Sequence, residues 1–361
     1  MISSTRGPDP ARDLQSTASA LRGWLASDMP RSPSGAYYSW LDWASGAPGF
    51  EYPEITGYAL THLAGQSAPS IVELDAGRAA GTWLLARLHN GDLSAHEEYD
   101  AAAAYNFDLA MISTGLMAFG SGHDEPSFVD AGLRLAARIR DQLADQGRLD
   151  SIVAGSLVTT SRSAWSTQGF AHLLKIDQCL LWAHELGETG CDSAARTLVA
   201  QCVQSQQPDG RFVTHPSDSE TMLHPHLYAV EGLFMFGSAF QDREALDRAR
   251  LGAEWAWQHQ LPGGGFPRYV SNSDQPAGPE QLDLTAQALR AALFTTLEPP
   301  GLRRVAQRLC ECALPVAEYV AVPYQPAVEH PHLNVWASLF SLQGLQSSMP
   351  GARALDWHYL V

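Results

Sequence analysis

Six stretches of this chain are apolar nearly all round, and they alternate with six that are apolar on one face only. The first kind reads YPEITGYALTHLA from Tyr52, YNFDLAMISTGLMAF from Tyr105, SAWSTQGFAHLLKI from Ser163, HPHLYAVEGLFMFG from His224, QLDLTAQALRAALF from Gln281 and HPHLNVWASLFSLQGL from His330. Their starts lie 53, 58, 61, 57 and 49 residues apart, a period long enough for two helices and two loops. The second kind repeats apolar residues at i, i+3, i+4 and i+7 and predicts helices over 12–28, 69–89, 126–145, 191–206, 242–260 and 301–319. Several of these open on acidic residues, as helix N-termini favour. A helix with one polar face meets solvent, whereas one that is apolar all round is buried. Six outer and six inner helices in alternation predict an all-α (α/α)6 toroid. It is read as one domain over 1–361, with a flexible segment at 1–11 and only short hairpins in the loops.

The loops are unequal. Each inner run reaches the next outer helix through a short polar connection such as GSGHDEPS or FQDRE. The return connections are long and aromatic, as in PSGAYYSWLDWASGAPGFEYPE and LPGGGFPRYVSNSDQPAGPEQLD, and long loops in a compact fold are usually functional. All of them lie at the end where the inner helices begin. The polar residues at those starts therefore converge on one cavity: Glu54, Asp108, Gln168 with Ser163 or Ser166, His224 and His226, Asp283, and His330 and His332. Six helix N-termini aimed at the same mouth favour an anionic or hydroxyl-rich ligand. Asp108 and Asp283 also suit plain N-caps, a role for which Glu and His are poor.

Composition narrows the function. The chain is 361 residues long, 45% hydrophobic and 17% charged, enough apolar material for a large core. A formal charge of −16 repels a phosphate backbone, and no basic patch offsets it, so nucleic acid is not expected as a partner. No run approaches the roughly 20 apolar residues of a membrane helix, and MISSTRGPDPARD lacks the apolar core of a secretory leader, so the expected address is the cytoplasm. The five cysteines form no C-x-x-C pair and are read as reduced packing thiols. Neither a metal nor another cofactor is expected. Lys175, the only lysine, falls within the third inner run, as a residue either lining the cavity or paired. The tail GARALDWHYLV is read as a lid or an interface.

The QPDGRF lead-in and the YPEITGY and LDLTAQALR runs resemble those of the α/α six-barrel superfamily of carbohydrate enzymes. That group includes N-acylglucosamine 2-epimerase-like isomerases and six-hairpin glycosidases, and the resemblance covers residues 12–348. HPHLYAVEGL (224–233) and HPHLNVWASL (330–339) are similar to the helix starts from which the epimerase-like members present two catalytic histidines. The resemblance implies His226 and His332 as that pair, working from opposite faces of an opened sugar. The ordinary histidine pKa allows either proton-transfer role near neutral pH. Beside it stands a second reading, in which Glu54, Asp108 and Asp283 supply the acid and base of a glycosidase or lyase. A third reading is a non-catalytic glycan-binding toroid. In the first two, Tyr52, Tyr105 and Trp165 stack on sugar faces, and Arg162, Arg211 and Arg268 hold an anionic substituent, with Gln168, His224 and His330 as further contacts. The expected partner is a small sugar-like molecule; the oligomeric state is left open.

Overall fold

The structure, a computed structural model, describes residues 13–92, 103–153, 171–214, 220–326 and 328–361. The proposed flexible segment, Ser163, Ser166, Arg162, Trp165 and Gln168 lie outside the described residues.

Twelve α-helices alternate as expected among the described residues. The outer ones are α1 (Leu14–Ala26), α3 (Ile71–His89), α5 (Pro126–Gln146), α7 (Cys191–Cys202), α9 (Arg243–Trp257) and α11 (Leu302–Cys312). The inner ones are α2 (Pro53–Ala64), α4 (Asn106–Gly122), α6 (Asp177–Glu185), α8 (Leu223–Phe240), α10 (Leu282–Phe294) and α12 (Val335–Ser347). A 3-10 turn over Ala171–Ile176 leads into α6. Caps mark several outer starts. Asp13 accepts from the Ser16 amide, Asp242 from the Ala245 amide, and Ser70 with Glu73 forms a capping box. Glu73 also takes Arg22 of α1 at 2.6 Å, so one carboxylate caps α3 and ties it to α1. The inner helices pack α2 to α4, α4 to α6, α6 to α8, α8 to α10, α10 to α12 and α12 back to α2, a closed ring.

Backbone approach in this ring is set by glycine. A Cβ on Gly115 of α4 would lie 2.2 Å from the Gly57 carbonyl of α2, and one on Gly57 2.6 Å from the Met111 carbonyl. No larger residue fits between these helices.

Short strands brace the mouth. β1 (Trp40–Asp42) pairs antiparallel with β7 (His332–Asn334), joining the first long loop to the last. β2 (Glu220–Met222), β3 (Phe266–Ser271) and β4 (Pro276–Gln281) form a three-stranded sheet, and β5 (Leu314–Val316) pairs with β6 (Tyr319–Ala321). The helix expected over 301–319 thus ends at Cys312, where Leu314–Pro315–Val316 turns into a strand whose proline suits an extended backbone.

The opposite end is sealed by the tail, which is neither a lid over the mouth nor left free. Trp357, Leu360 and Val361 are buried. Lys175 Nζ donates to the Leu360 carbonyl at 3.0 Å, Gln178 Nε2 donates to the Trp357 and Leu360 carbonyls at 2.9 Å, and Arg290 donates to the Val361 oxygen. All five cysteines are buried and unbridged. No described helix is long and apolar enough to cross a membrane.

Candidate active site

The parallel register of α2 and α4 decides what meets at the mouth. Gly57 lies level with Met111, so Glu54, one turn earlier on α2, lies level with Asp108, one turn earlier on α4. Both carboxyls are buried, at 9% and 6% exposure. Burial raises the Glu54 pKa to about 7, against a hydrogen bond with Tyr52 that lowers it. Burial, reinforced by the negative charge of Glu54, holds Asp108 well above the ordinary carboxylate range. Two carboxyls this close and this dry cannot both ionise cheaply, so one keeps a proton near neutral pH.

Further round the ring, Asp283 of α10 is 2% exposed, with its pKa raised by burial against the opposing pull of His224. The Trp336 indole N–H donates to its Oδ2 at 3.4 Å, and His224 Nδ1 stands 3.7 Å from the same oxygen. Burial lowers the His224 pKa, with Asp283 opposing.

Contacts across the axis show that these side chains face the centre. Tyr58 of α2 donates its hydroxyl to that of Tyr228 on α8 at 3.1 Å, although α2 and α8 are not neighbours in the ring. Phe107 of α4 lies 4.9 Å from the Tyr228 ring, and His224 meets the same ring edge-on at 4.4 Å. Phe107, Tyr58 and Tyr228 therefore meet across the ring as a buried floor below the acids. Beneath the floor, Glu231 takes Lys175 at 2.9 Å and Arg290 at 2.6 Å, all three with no exposed surface. Burial lowers the Lys175 pKa to about 8, against the attraction of Glu231.

The two H-P-H motifs fold differently. His226 is the fourth residue of α8 and is fully buried. Its Nδ1 accepts from the Phe212 amide at 3.2 Å and its Nε2 donates to the Gly252 carbonyl at 2.9 Å. Its ring lies 4.8 Å from Trp255 on α9, and burial lowers its pKa to about 4. His226 is thus a neutral bridge to the outer layer, with both ring nitrogens committed to main chain. His332 lies three residues before α12, in β7, exposed and stacked on Trp40 at 3.8 Å. Asn334 caps α12 in its place, accepting from the Ala337 amide. The expected histidine pair is therefore not brought together: one member faces α9 and the other the rim.

Of the other expected contacts, His330 is exposed, and Tyr52 is half-buried beside Glu54. Tyr105 is half-buried at the N-cap of α4, Arg211 donates to Thr221 Oγ1 at 3.2 Å, and Arg268 is exposed on β3. Sequence reasoning missed the layer one turn deeper. Tyr58, Tyr228 and Gln287 each follow a singled-out helix-start position by four residues, the spacing that repeats one face of a helix. The i+4 rule applied to the helix starts would have found them. Among the described residues no three side chains close on a metal position.

No protein-family model and no curated protein matches this sequence. Solved structures do match in shape. The unsaturated glucuronyl hydrolase of Bacillus sp. GL1, described as responsible for glycosaminoglycan degradation, superposes with a TM-score of 0.70 at 12% identity, over 92% of this chain and 96% of that one. A sugar epimerase from a ruminal bacterium gives 0.66 at 10% identity, over 93% and 98%. The cellobiose 2-epimerase of Bacillus thermoamylovorans gives 0.64 at 9% identity, over 92% and 98%. This likeness establishes the fold: the chain is an (α/α)6 toroid of the kind seen in both hydrolases and epimerases.

Proposed function

We propose that this protein is a carbohydrate-active enzyme that cleaves a glycosidic bond at the barrel mouth. The observation that carries the reading is the buried Glu54–Asp108 pair, two carboxyls level on adjacent inner helices with raised pKa values. Glycoside cleavage needs one carboxylic acid to protonate the leaving oxygen and one carboxylate to activate water or attack the anomeric carbon. A carboxyl held well above the ordinary range by burial and by a neighbouring negative charge keeps its proton at neutral pH and can serve as that acid. In this account Asp108 donates the proton, and Glu54, its charge supported by the hydrogen bond with Tyr52, takes the carboxylate role. Tyr58, Tyr228 and Phe107 give the bound sugar a mixed aromatic and hydroxyl floor. Structural neighbours that process sugars support the substrate class.

A second reading, sugar epimerisation, is favoured by His224 at 3.7 Å from Asp283. That histidine, rather than His226, would then exchange a carbon-bound proton, with Asp283 supporting its charge. A proton NMR time course in D2O over free sugars and oligosaccharides separates the two. The cleavage reading predicts new reducing-end anomeric signals without loss of any other carbon-bound proton. Deuterium entering a ring carbon while an epimer accumulates would replace it with the second reading.

A further inference from the structure

Helix N-termini aimed at one mouth favour an anionic ligand, but the protein has already used that positive end. Glu54, Asp108 and Asp283 occupy the first turns of α2, α4 and α10, so the partial charge of those N-termini is met by the protein's own acids. The buried cations nearby do not compensate. Lys175 and Arg290 lie beneath the tyrosine floor and are both bound to Glu231. At these helix starts two carboxylate oxygens remain without a hydrogen-bond partner, Asp108 Oδ2 and Asp283 Oδ1, on side chains 6% and 2% exposed. An orphan acceptor at such depth is costly, and a ligand that donates to it or brings positive charge recovers that cost.

The mouth has the same sign. The described residues of the six segments that join each outer helix to the next inner one (27–52, 90–92 with 103–105, 147–153, 203–214 with 220–222, 258–281, and 313–326 with 328–334) include eleven acids and four arginines. With histidine neutral, that is a net seven negative charges among the described residues. Two of those arginines, Arg31 and Arg148, pair with acids of their own loops, Asp28 and Asp150. Arg87 and Arg308 reach in from outer helices to Asp92 and Glu280 and offset only part of the excess. An acidic funnel raises the local concentration of cations and repels anions. An ammonium group suits a single buried carboxylate oxygen, because one charge-assisted hydrogen bond satisfies it.

We propose that the pocket takes a sugar carrying a protonated amine, with Asp283 as the amine's anchor, and discriminates against uronates and other acidic sugars. This rests on the carbohydrate reading above and specifies its substrate class. A glycosidase needs two carboxyls, and Asp283 is a third; an ammonium group gives its unpaired oxygen a charge-assisted partner.

The test is titration calorimetry with three matched probes: the β-1,4 disaccharide of glucosamine, cellobiose, and the uronate analogue of cellobiose. The amine probe is expected to bind at least tenfold tighter than cellobiose, with the uronate weakest and the preference shrinking as salt is added. In Asp283→Asn, checked for native circular dichroism, the amine preference should fall to within about threefold of cellobiose. Cellobiose or the uronate binding as tightly as the amine in the wild type would overturn the proposal while leaving the carbohydrate reading intact. Asp283→Asn retaining the full preference would overturn the anchor. Failure to bind or turn over any sugar in a broad panel would remove both this proposal and the reading it rests on.

Discussion

At the scale of single residues, the site is a set of acids that burial keeps from ionising freely. Glu54 has a folded pKa of about 7, above its ordinary 4.5, so its protonated form is the one the fold prefers. The stability it contributes is complete below the unfolded value and is lost as pH rises through the folded one. Glu54→Gln should therefore match the wild type in Tm at pH 4 and exceed it by a few degrees at pH 8, measured by differential scanning calorimetry. An equal Tm at both pH values would show that Glu54 is not desolvated as described. His226 makes the opposite prediction. With both ring nitrogens bonded to main chain, His226→Ala should cost about 2–4 kcal/mol in denaturant unfolding, as for other buried side chains that leave a cavity and unpaired groups. Turnover per folded molecule should stay within a few-fold. The placement of Glu54, Asp108 and Asp283 in the first turns of inner helices was legible in the sequence, because each opens an otherwise apolar run. His226 and His332 were misread because identical letters, H-P-H-L, enter a helix in one place and a strand in the other. Pairing with Trp40–Asp42 decides that, and no local pattern in 330–339 records it.

At the scale of helices, periodicity placed the outer layer within a few residues at most boundaries. The exception is 301–319, where the strand begun at Leu314 depends on its partner β6. The third inner run is the other departure: its described part, Ala171–Ile176, is a 3-10 turn, and the α-helix begins only beyond the run, at Asp177. The alignment of Glu54 with Asp108 is a property of the α2–α4 pair, not of either residue. Gly115→Ala puts a methyl where the Gly57 carbonyl stands, so the helices must separate. Overpacking of this kind typically costs about 1–3 kcal/mol. The variant should lower Tm and also lower turnover at a temperature where it is fully folded, because the carboxyls move apart. Lost stability with unchanged turnover would uncouple the helix contact from the chemistry.

At the scale of the whole molecule, the chain closes its ring twice: at the mouth through β1 and β7, and at the base through the tail. The tail is held at its surface by His358, whose ring nitrogens lie 2.7 Å from Asp356 and 2.7 Å from Glu185, with its ring stacked on Trp357. Burial opposes charge on His358, but the hydrogen bonds to Asp356 and Glu185 outweigh it and raise the pKa above 6.5. This clasp is therefore complete below the unfolded pKa and weakens as pH rises through the folded one. The hydrogen-exchange protection factor over 353–361, with intrinsic base catalysis divided out, should fall on the alkaline side in the wild type and be low at all pH values in His358→Ala; a pH-independent protection factor in the wild type would contradict the clasp. The alternation of helices made the toroid legible, whereas the base was not, since contacts such as Lys175 to Leu360 span 185 residues and leave no periodic trace. Everything about the site's chemistry rests on Glu54 and Asp108 acting as a pair. The most direct measurement is kcat/KM for Glu54→Gln, Asp108→Asn and the double variant, on whichever oligosaccharide the wild type cleaves. The account predicts that each single variant loses about 10²–10⁴-fold with the fold intact, and that the double variant loses little more than the worse single. Near wild-type turnover in either single variant would contradict it.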